Sequence, residues 1–276
     1  MVLSEFTPSL YLSPYVRVYR IVQFEIKGHD LPFKAYPPRP EQCLSFYPKD
    51  TETVTYINEG TSFSKLRTVV MGQQTGVTHR FVGHNFLVFQ VVFAPGGLFK
   101  MTGIPAALLN NCYLDASLIF SKDITCVNEQ LFEAQNEQTM VSIVEQYLKQ
   151  QLYKTKLVTH PIDMVAPKLL TLHDAFTIEQ QARTACLSLR QYERKFVERM
   201  GVSPKYYQKI VRFEHAFRLK NKYPSLDWLS IAIRCGYHDY QHLAKDYKTL
   251  TQQLPNAFHE MDSAAPERLF GEADTY

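Results

Sequence analysis

The sequence predicts an α+β protein, with a β-rich front part and flanking helices followed by an all-α part. Three observations lead there. The first hundred or so of the 276 residues alternate short apolar runs with turn residues. Beyond Gly103 the apolar spacing lengthens to that of helices. Between Thr177 and Tyr247 one helix-turn-helix pattern is written twice.

The strand signals come first along the chain. Tyr15 to Ile26 is rich in β-branched and aromatic residues, as are Cys43 to Tyr47, Thr53 to Ile57, Leu66 to Met71 and Phe86 to Phe93. Turn clusters separate them, notably Pro37-Pro38-Arg39-Pro40, Asn58-Glu59-Gly60 and Pro95-Gly96-Gly97. Many short strands with such punctuation favour an antiparallel sandwich or barrel. Pro105 to Asn110 reads as one or two helical turns. In Thr139 to Leu152 the apolar Met140, Ile143, Val144, Tyr147 and Leu148 share one helical face, which suits packing on the sheet or against a second subunit, with the sheet favoured. Tyr153 to Pro167 reads as a junction, and helix is expected from about Ile162 to Met261. The resulting division is a β-rich domain over 1–155, a helical domain over 156–262 and a tail over 263–276.

Hydrophobic residues make up 45% and charged residues 21%, the balance of a soluble globular protein. No apolar run approaches the roughly 18 residues of a membrane span. The start lacks the basic-then-apolar order of a secretory signal. The five cysteines are scattered and form no CxxC pair, so reduced thiols in a cytoplasmic protein are expected. The net charge of +3 is small, but its distribution is uneven. Residues 166–262 hold 15 basic and 10 acidic side chains, and the remainder holds 15 and 17. The basic excess thus coincides with the repeated motif, as a DNA-contacting region requires.

The repeat itself is chemically specific. Thr177 and Gln180 make a capping-box pattern, the small Ala182 lets two helices cross closely, and Cys186-Leu187 form the turn. Ser188 caps the next helix, with Tyr192 and Phe196 inward. Gly201 ends it, and Ser203-Pro204 open a long basic helix to Lys222. Shifting by fifty positions carries Thr177 to Asp227, Ala182 to Ala232 and Cys186 to Gly236. Asp239 then caps a further helix, with Leu243 and Tyr247 inward.

Arg190, Glu193 and Arg194 are therefore expected to face outward on one reading helix, and Tyr240, Gln241, His242 and Lys245 on the other. Arg suits guanine O6 and N7, Glu the cytosine amine, and Gln adenine N6 and N7. Ser188, Arg199, Lys205, Lys209, Arg212 and Lys248 are the expected phosphate contacts. In an isolated helix such charges would more often form a solvated face; the repeated motif reverses that preference.

Thr177 to Phe258 resembles the tandem helix-turn-helix domain of AraC-type bacterial transcription regulators. The resemblance rests on Ala182, Leu187-Ser188, Phe196, Gly201-Val202-Ser203-Pro204, Arg212, Ala216, Leu219, Ile231-Ala232, Cys235-Gly236-Tyr237, Asp239, His242-Leu243, Tyr247-Lys248 and Pro255. It implies two reading helices in adjacent major grooves, joined by a long helix. The chain departs from the pattern in Gln181 at a usually apolar core position, in Cys186 at a usual Gly turn, and in lacking Gly-Val-Ser before Pro255. The stretch Val91 to Asn111 (VVFAPGGLFKMTGIPAALLNN) is similar to the N-terminal domain of one AraC-type subgroup, which implies a cupin-like sensory or dimerising domain.

The expected function is sequence-specific DNA-binding regulation of transcription, modulated by a small-molecule effector. Double-stranded DNA is the expected partner, with RNA polymerase and a second copy of the chain compatible with the same reading. The front-domain aromatics Phe81, Phe86, Phe89 and Phe93 are the candidate pocket lining. No catalytic group, cofactor or metal is expected. His79 and His84 lack the His-x-His and Glu of a metal-binding cupin, and Gly96-Gly97 is not a phosphate loop. Two other readings remain open: a cupin-type metalloenzyme fused to a DNA-binding domain, and an interaction module that has lost DNA reading.

Overall fold

The computed structural model describes residues 2–27, 33–57, 60–155, 159–171 and 176–263. The tail expected beyond 263 and the boundary expected between 155 and 156 fall on or beside residues outside that set. The described strands are β1 (Val2–Phe6), β2 (Val16–Glu25), β3 (Phe33–Tyr36), β4 (Cys43–Phe46), β5 (Glu52–Tyr56), β6 (Thr61–Phe63), β7 (Thr68–Met71), β8 (Thr78–Val82), β9 (Asn85–Phe93) and β10 (Tyr113–Asp115). The helices are α1 (Gly97–Thr102), α2 (Ile124–Glu133), α3 (Glu137–Lys154), α4 (Ile162–Val165), α5 (Ile178–Thr184), α6 (Leu189–Met200), α7 (Pro204–Lys222), α8 (Trp228–Arg234), α9 (Tyr240–Thr251) and α10 (Pro255–Ser263).

The strands form two antiparallel sheets. The larger runs β1-β2-β9-β4-β7-β10 and the smaller β3-β8-β5-β6. The period of 2 along β9 decides what each face does. Phe86, Val88 and Val92 enter a core shared with Val54, Tyr56 and Val82 of the smaller sheet. Leu87, Phe89, Val91 and Phe93 face the other way, into a second core with Ile124, Leu131, Val144 and Leu148 of α2 and α3. The helices thus cover the outer face of the larger sheet, and α3 turns its apolar stripe to that sheet, the favoured of the two partners the stripe allowed.

That alternation corrects the expected pocket lining. Phe86 differs in parity from Phe89 and Phe93, so these three cannot share a face. Phe81 lies on the outer side of β8, 38% exposed, beside Phe33 at 5.8 Å. These four aromatics line no common space.

The five strands with strong apolar runs stand where the sequence places them. β1, β3, β6, β8 and β10 were not expected. They are three to five residues long, and polar residues interrupt them. Arg80 of β8 is buried, 3.3 Å from Glu52 and 4.2 Å above the Tyr36 ring.

The helical part has two cores with α7 as their common wall. Tyr207 and Val211 of α7 pack with Ala182, Tyr192 and Phe196. Ile210, Phe213, Ala216 and Phe217 pack with Ile231, Ala232, Leu243 and Tyr247. At about 1.5 Å per residue, the 19 residues of α7 span about 28 Å. No described helix is long and apolar enough to cross a membrane.

Candidate nucleic-acid interface

Each helix of the repeat starts where local chemistry dictates. Thr177 and Ser188 form capping boxes with Gln180 and Gln191. Ser203, Asp227 and Asp239 accept from the backbone N–H of Tyr206, Ser230 and His242. The backbone hydrogen bond from His242 holds the Asp239 carboxyl below its ordinary pKa.

The two turns are built alike. The N–H groups of Leu187 and Tyr237 reach back to the carbonyls of Ala182 and Ala232 at 3.0 and 2.9 Å. Between them Cys186 and Gly236 both take left-handed backbone, φ 53° and 77°. This is the helix-ending geometry that favours glycine. The offset of 50 holds through the turn and becomes 51 afterwards, because His238 adds one residue before the cap at Asp239. At that offset Tyr192 and Phe196 match Leu243 and Tyr247, all buried, and the end caps Gly201 and Gln252 are both left-handed.

The departure at Gln181 is resolved inside the first unit. Gln181 is fully buried, yet its Oε1 accepts from the Tyr192 hydroxyl at 2.8 Å and its Nε2 donates to the Phe176 carbonyl at 2.7 Å. Burial pushes the Tyr192 phenol up, keeping it a neutral donor. The matching residues of the second unit are the apolar Ile231 and Leu243.

The expected base-reading residues fall on two outward faces. Arg190, Glu193 and Arg194 of α6 are exposed, as are Gln241 and Lys245 of α9. Tyr240 and His242 are half-buried. His242 sits edge-on to Tyr237, with ring centroids 5.2 Å apart, and its Nε2 is 3.3 Å from Arg212 Nη2.

The phosphate set divides. Lys205 and Lys248 are exposed, and Lys209 is half-buried, 3.7 Å from Asp246. The Ser188 hydroxyl is engaged with Gln191 in its own cap. Arg199 is not on the surface. Its guanidinium is buried, pairs with Asp163 at 2.9 Å and lies 4.7 Å from the Phe99 ring centre. Arg212 is held by the buried Asp246 at 3.0 Å. The basic helix α7 is likewise less free than its composition suggests. Arg218 pairs with Glu214, and Lys220 donates to the carbonyls of Pro224 and Leu226.

Arg199 marks the docking of α6 on the front part of the chain. Next to it Gly201 accepts from Asn110 Nδ2 at 2.6 Å, and Tyr206 donates to the Thr75 carbonyl at 3.1 Å. Gly201 has left-handed backbone, φ 86°, and a Cβ there would lie 2.1 Å from Asn110 Oδ1 and 3.1 Å from the Ala106 carbonyl oxygen, so a side chain would strain this approach. Sequence reasoning missed this contact because Asn110 and Thr75 lie far from α6 along the chain.

Away from the repeat, a cavity of about 540 Å³ opens between α2 and the edge of the larger sheet. Pro48, Arg67, Asp115, Asn128 and Phe132 are among its lining residues. None of the four expected aromatics belongs to it.

Residues 181–261 match the family described as "Helix-turn-helix domain". The match spans both repeated units and places a domain of that helix-turn-helix family over these residues. The front of the chain, residues 4–115, matches "Domain of unknown function (DUF6597)". No curated protein matches the chain in sequence. Among solved structures, it is similar to ToxT from Vibrio cholerae at 10% identity and a TM-score of 0.46, over 90% of this chain and 99% of that one. It is also similar to ToxT from Vibrio cholerae with bound unsaturated fatty acid, at 11% identity and a TM-score of 0.45, over 88% and 95%. The AraC-like transcriptional activator CuxR aligns at 10% identity and a TM-score of 0.22, over 99% and 96%.

Proposed function

We propose that this regulator reads two successive major grooves on one face of DNA, with α6 in one and α9 in the next. The single observation that carries this is the repeated turn. The same backbone geometry presents α6 and α9 from equivalent scaffolds, with Arg190, Glu193, Arg194, Gln241 and Lys245 exposed. Successive major grooves lie about 34 Å apart, a distance suited to a rigid helix of about 28 Å between the units. Lys205, Lys209 and Lys248 supply the salt-dependent phosphate term, and the outward faces supply base readout. Residues 1–155 form a separate β-rich unit that senses a small molecule, and 156–262 form the reading unit. The 540 Å³ cavity supports effector binding, since it falls in the size range of small-molecule sites.

The test is an anisotropy titration of the full chain against enriched genomic fragments at two salt concentrations. Arg194→Ala is expected to cost about 1–3 kcal/mol on the best fragment and little on random DNA. Lys248→Ala is expected to weaken all sequences alike and flatten the salt slope. Equal binding to every fragment by the unaltered chain defeats the proposal.

A further inference from the structure

The second unit contains a side-chain arrangement that the first lacks. Arg212 reaches from α7 to α9 and meets two groups there, Asp246 Oδ2 at 3.0 Å and His242 Nε2 at 3.3 Å. Asp246 is buried, and it also draws Lys209 to 3.7 Å. The guanidinium lies over the Tyr237 ring at 4.5 Å, and the same ring meets the His242 imidazole edge-on. Salt bridge and ring together fix where the guanidinium sits, and the guanidinium fixes the imidazole.

A guanidinium carries only donors. At the Arg212–His242 contact the imidazole must accept, so Nε2 carries no proton. In a neutral ring the proton then resides on Nδ1. His242 Nδ1 has no protein partner among the described residues, and it is not one of the buried unpartnered atoms. It is therefore left to donate to a group outside the chain, on a half-buried side chain that adjoins the exposed Gln241 and Lys245 on α9. At the equivalent place in α6 stands Gln191, whose Oε1 accepts from the Ser188 N–H and hydroxyl. The first unit thus commits this position to its own cap.

We infer that Arg212 is a positioning residue that locks His242 in the Nδ1–H tautomer, so that α9 requires a hydrogen-bond acceptor on the base edge opposite His242. The inference rests on the reading of α9 as a groove helix and deepens it. In the major groove guanine presents N7 and O6, adenine N7, and thymine O4, whereas cytosine presents its N4 amine. An Nδ1–H donor accepts the first three and rejects cytosine. A neutral histidine free to exchange tautomers would tolerate all four.

Two measurements on the full chain test this. In ¹⁵N-histidine-labelled protein, long-range ¹H–¹⁵N spectra report the tautomer of each ring, and the pattern lost in His242→Gln assigns the relevant one. Protonated Nδ1 with bare Nε2 is expected; a proton on Nε2 overturns the lock. In selection from random DNA, the unaltered chain is expected to exclude cytosine at one position of the α9 half-site. The exclusion should be about 3- to 10-fold, the range of one neutral hydrogen bond.

His242→Ala should erase that bias and leave the α6 half-site intact; an unchanged pattern overturns the inference. Arg212→Met should readmit cytosine while keeping the histidine. Because it strands Asp246, the double variant Arg212→Met with Asp246→Asn is the control that retains the fold. A merely structural Arg212 would lower affinity uniformly without changing base preference. No enrichment at all by the unaltered chain defeats the groove reading and the base rule together, while the spectrum judges the tautomer separately.

Discussion

The two helix-turn-helix units share a backbone and differ in how they stabilise it. Both turn through a left-handed residue, and both close with a hydrogen bond from the residue after it to a buried alanine carbonyl. Inside that shared shape, the first unit buries a polar pair, Gln181 with Tyr192, where the second has the apolar Ile231 and Leu243. The second unit buries Asp246 against Arg212, where the first places Lys195 at half exposure beside Glu198. The first unit also rests on the front part of the chain through Arg199 and Gly201. A motif this tolerant of its core chemistry is defined by caps, turn geometry and the small residue at the crossing. Those features therefore carry more information than apolar patterning.

The largest expected contrast lies in the ion pairs. Asp246→Ala strands a half-buried guanidinium and should destabilise by about 3 kcal/mol. Lys195→Ala at the matching position should change stability by no more than about 0.5 kcal/mol. Denaturant melts of the two variants measure the difference, and equal losses would break the comparison. Next comes the buried polar pair. Gln181→Ile removes the partner of the Tyr192 hydroxyl and should cost about 1–2 kcal/mol. Adding Tyr192→Leu copies the second unit's chemistry, so the double variant should fall short of the summed single losses by about 1 kcal/mol. Strict additivity would mean that the Gln181–Tyr192 bond contributes nothing. The smallest effect is at the turn. Cys186→Gly suits φ 53° and should gain about 0.5–1 kcal/mol, whereas Gly236→Ala should lose a similar amount.

Much of this contrast is legible in the chain, because it is local. Thr177, Ser188, Ser203, Asp227 and Asp239 cap helices within three residues of themselves, and short-range chemistry suffices to place them. Gly201 and Gly236 identify turns for the same reason. The long strands β2 and β9 are likewise visible from their alternation. What the sequence hides depends on partners far along the chain. Arg199 reads as an outward charge until Asp163 and Phe99 arrive beside it. Arg80 lies in β8, a strand the sequence conceals, and is buried against Glu52 and Tyr36. The misassigned aromatics are different. The opposed parity of Phe86 against Phe89 and Phe93 is written in the sequence, and strict use of the two-residue period separates them.

The central claim is that α6 and α9 each read one groove of the same duplex. Base-resolution footprinting of the full chain on its selected site tests this most directly. Two clusters of major-groove contacts are expected, with centres one helical turn or about 10 base pairs apart. Arg194→Ala should remove one cluster and Lys245→Ala weaken the other. A single cluster, or two that both fade with either substitution, would contradict the account.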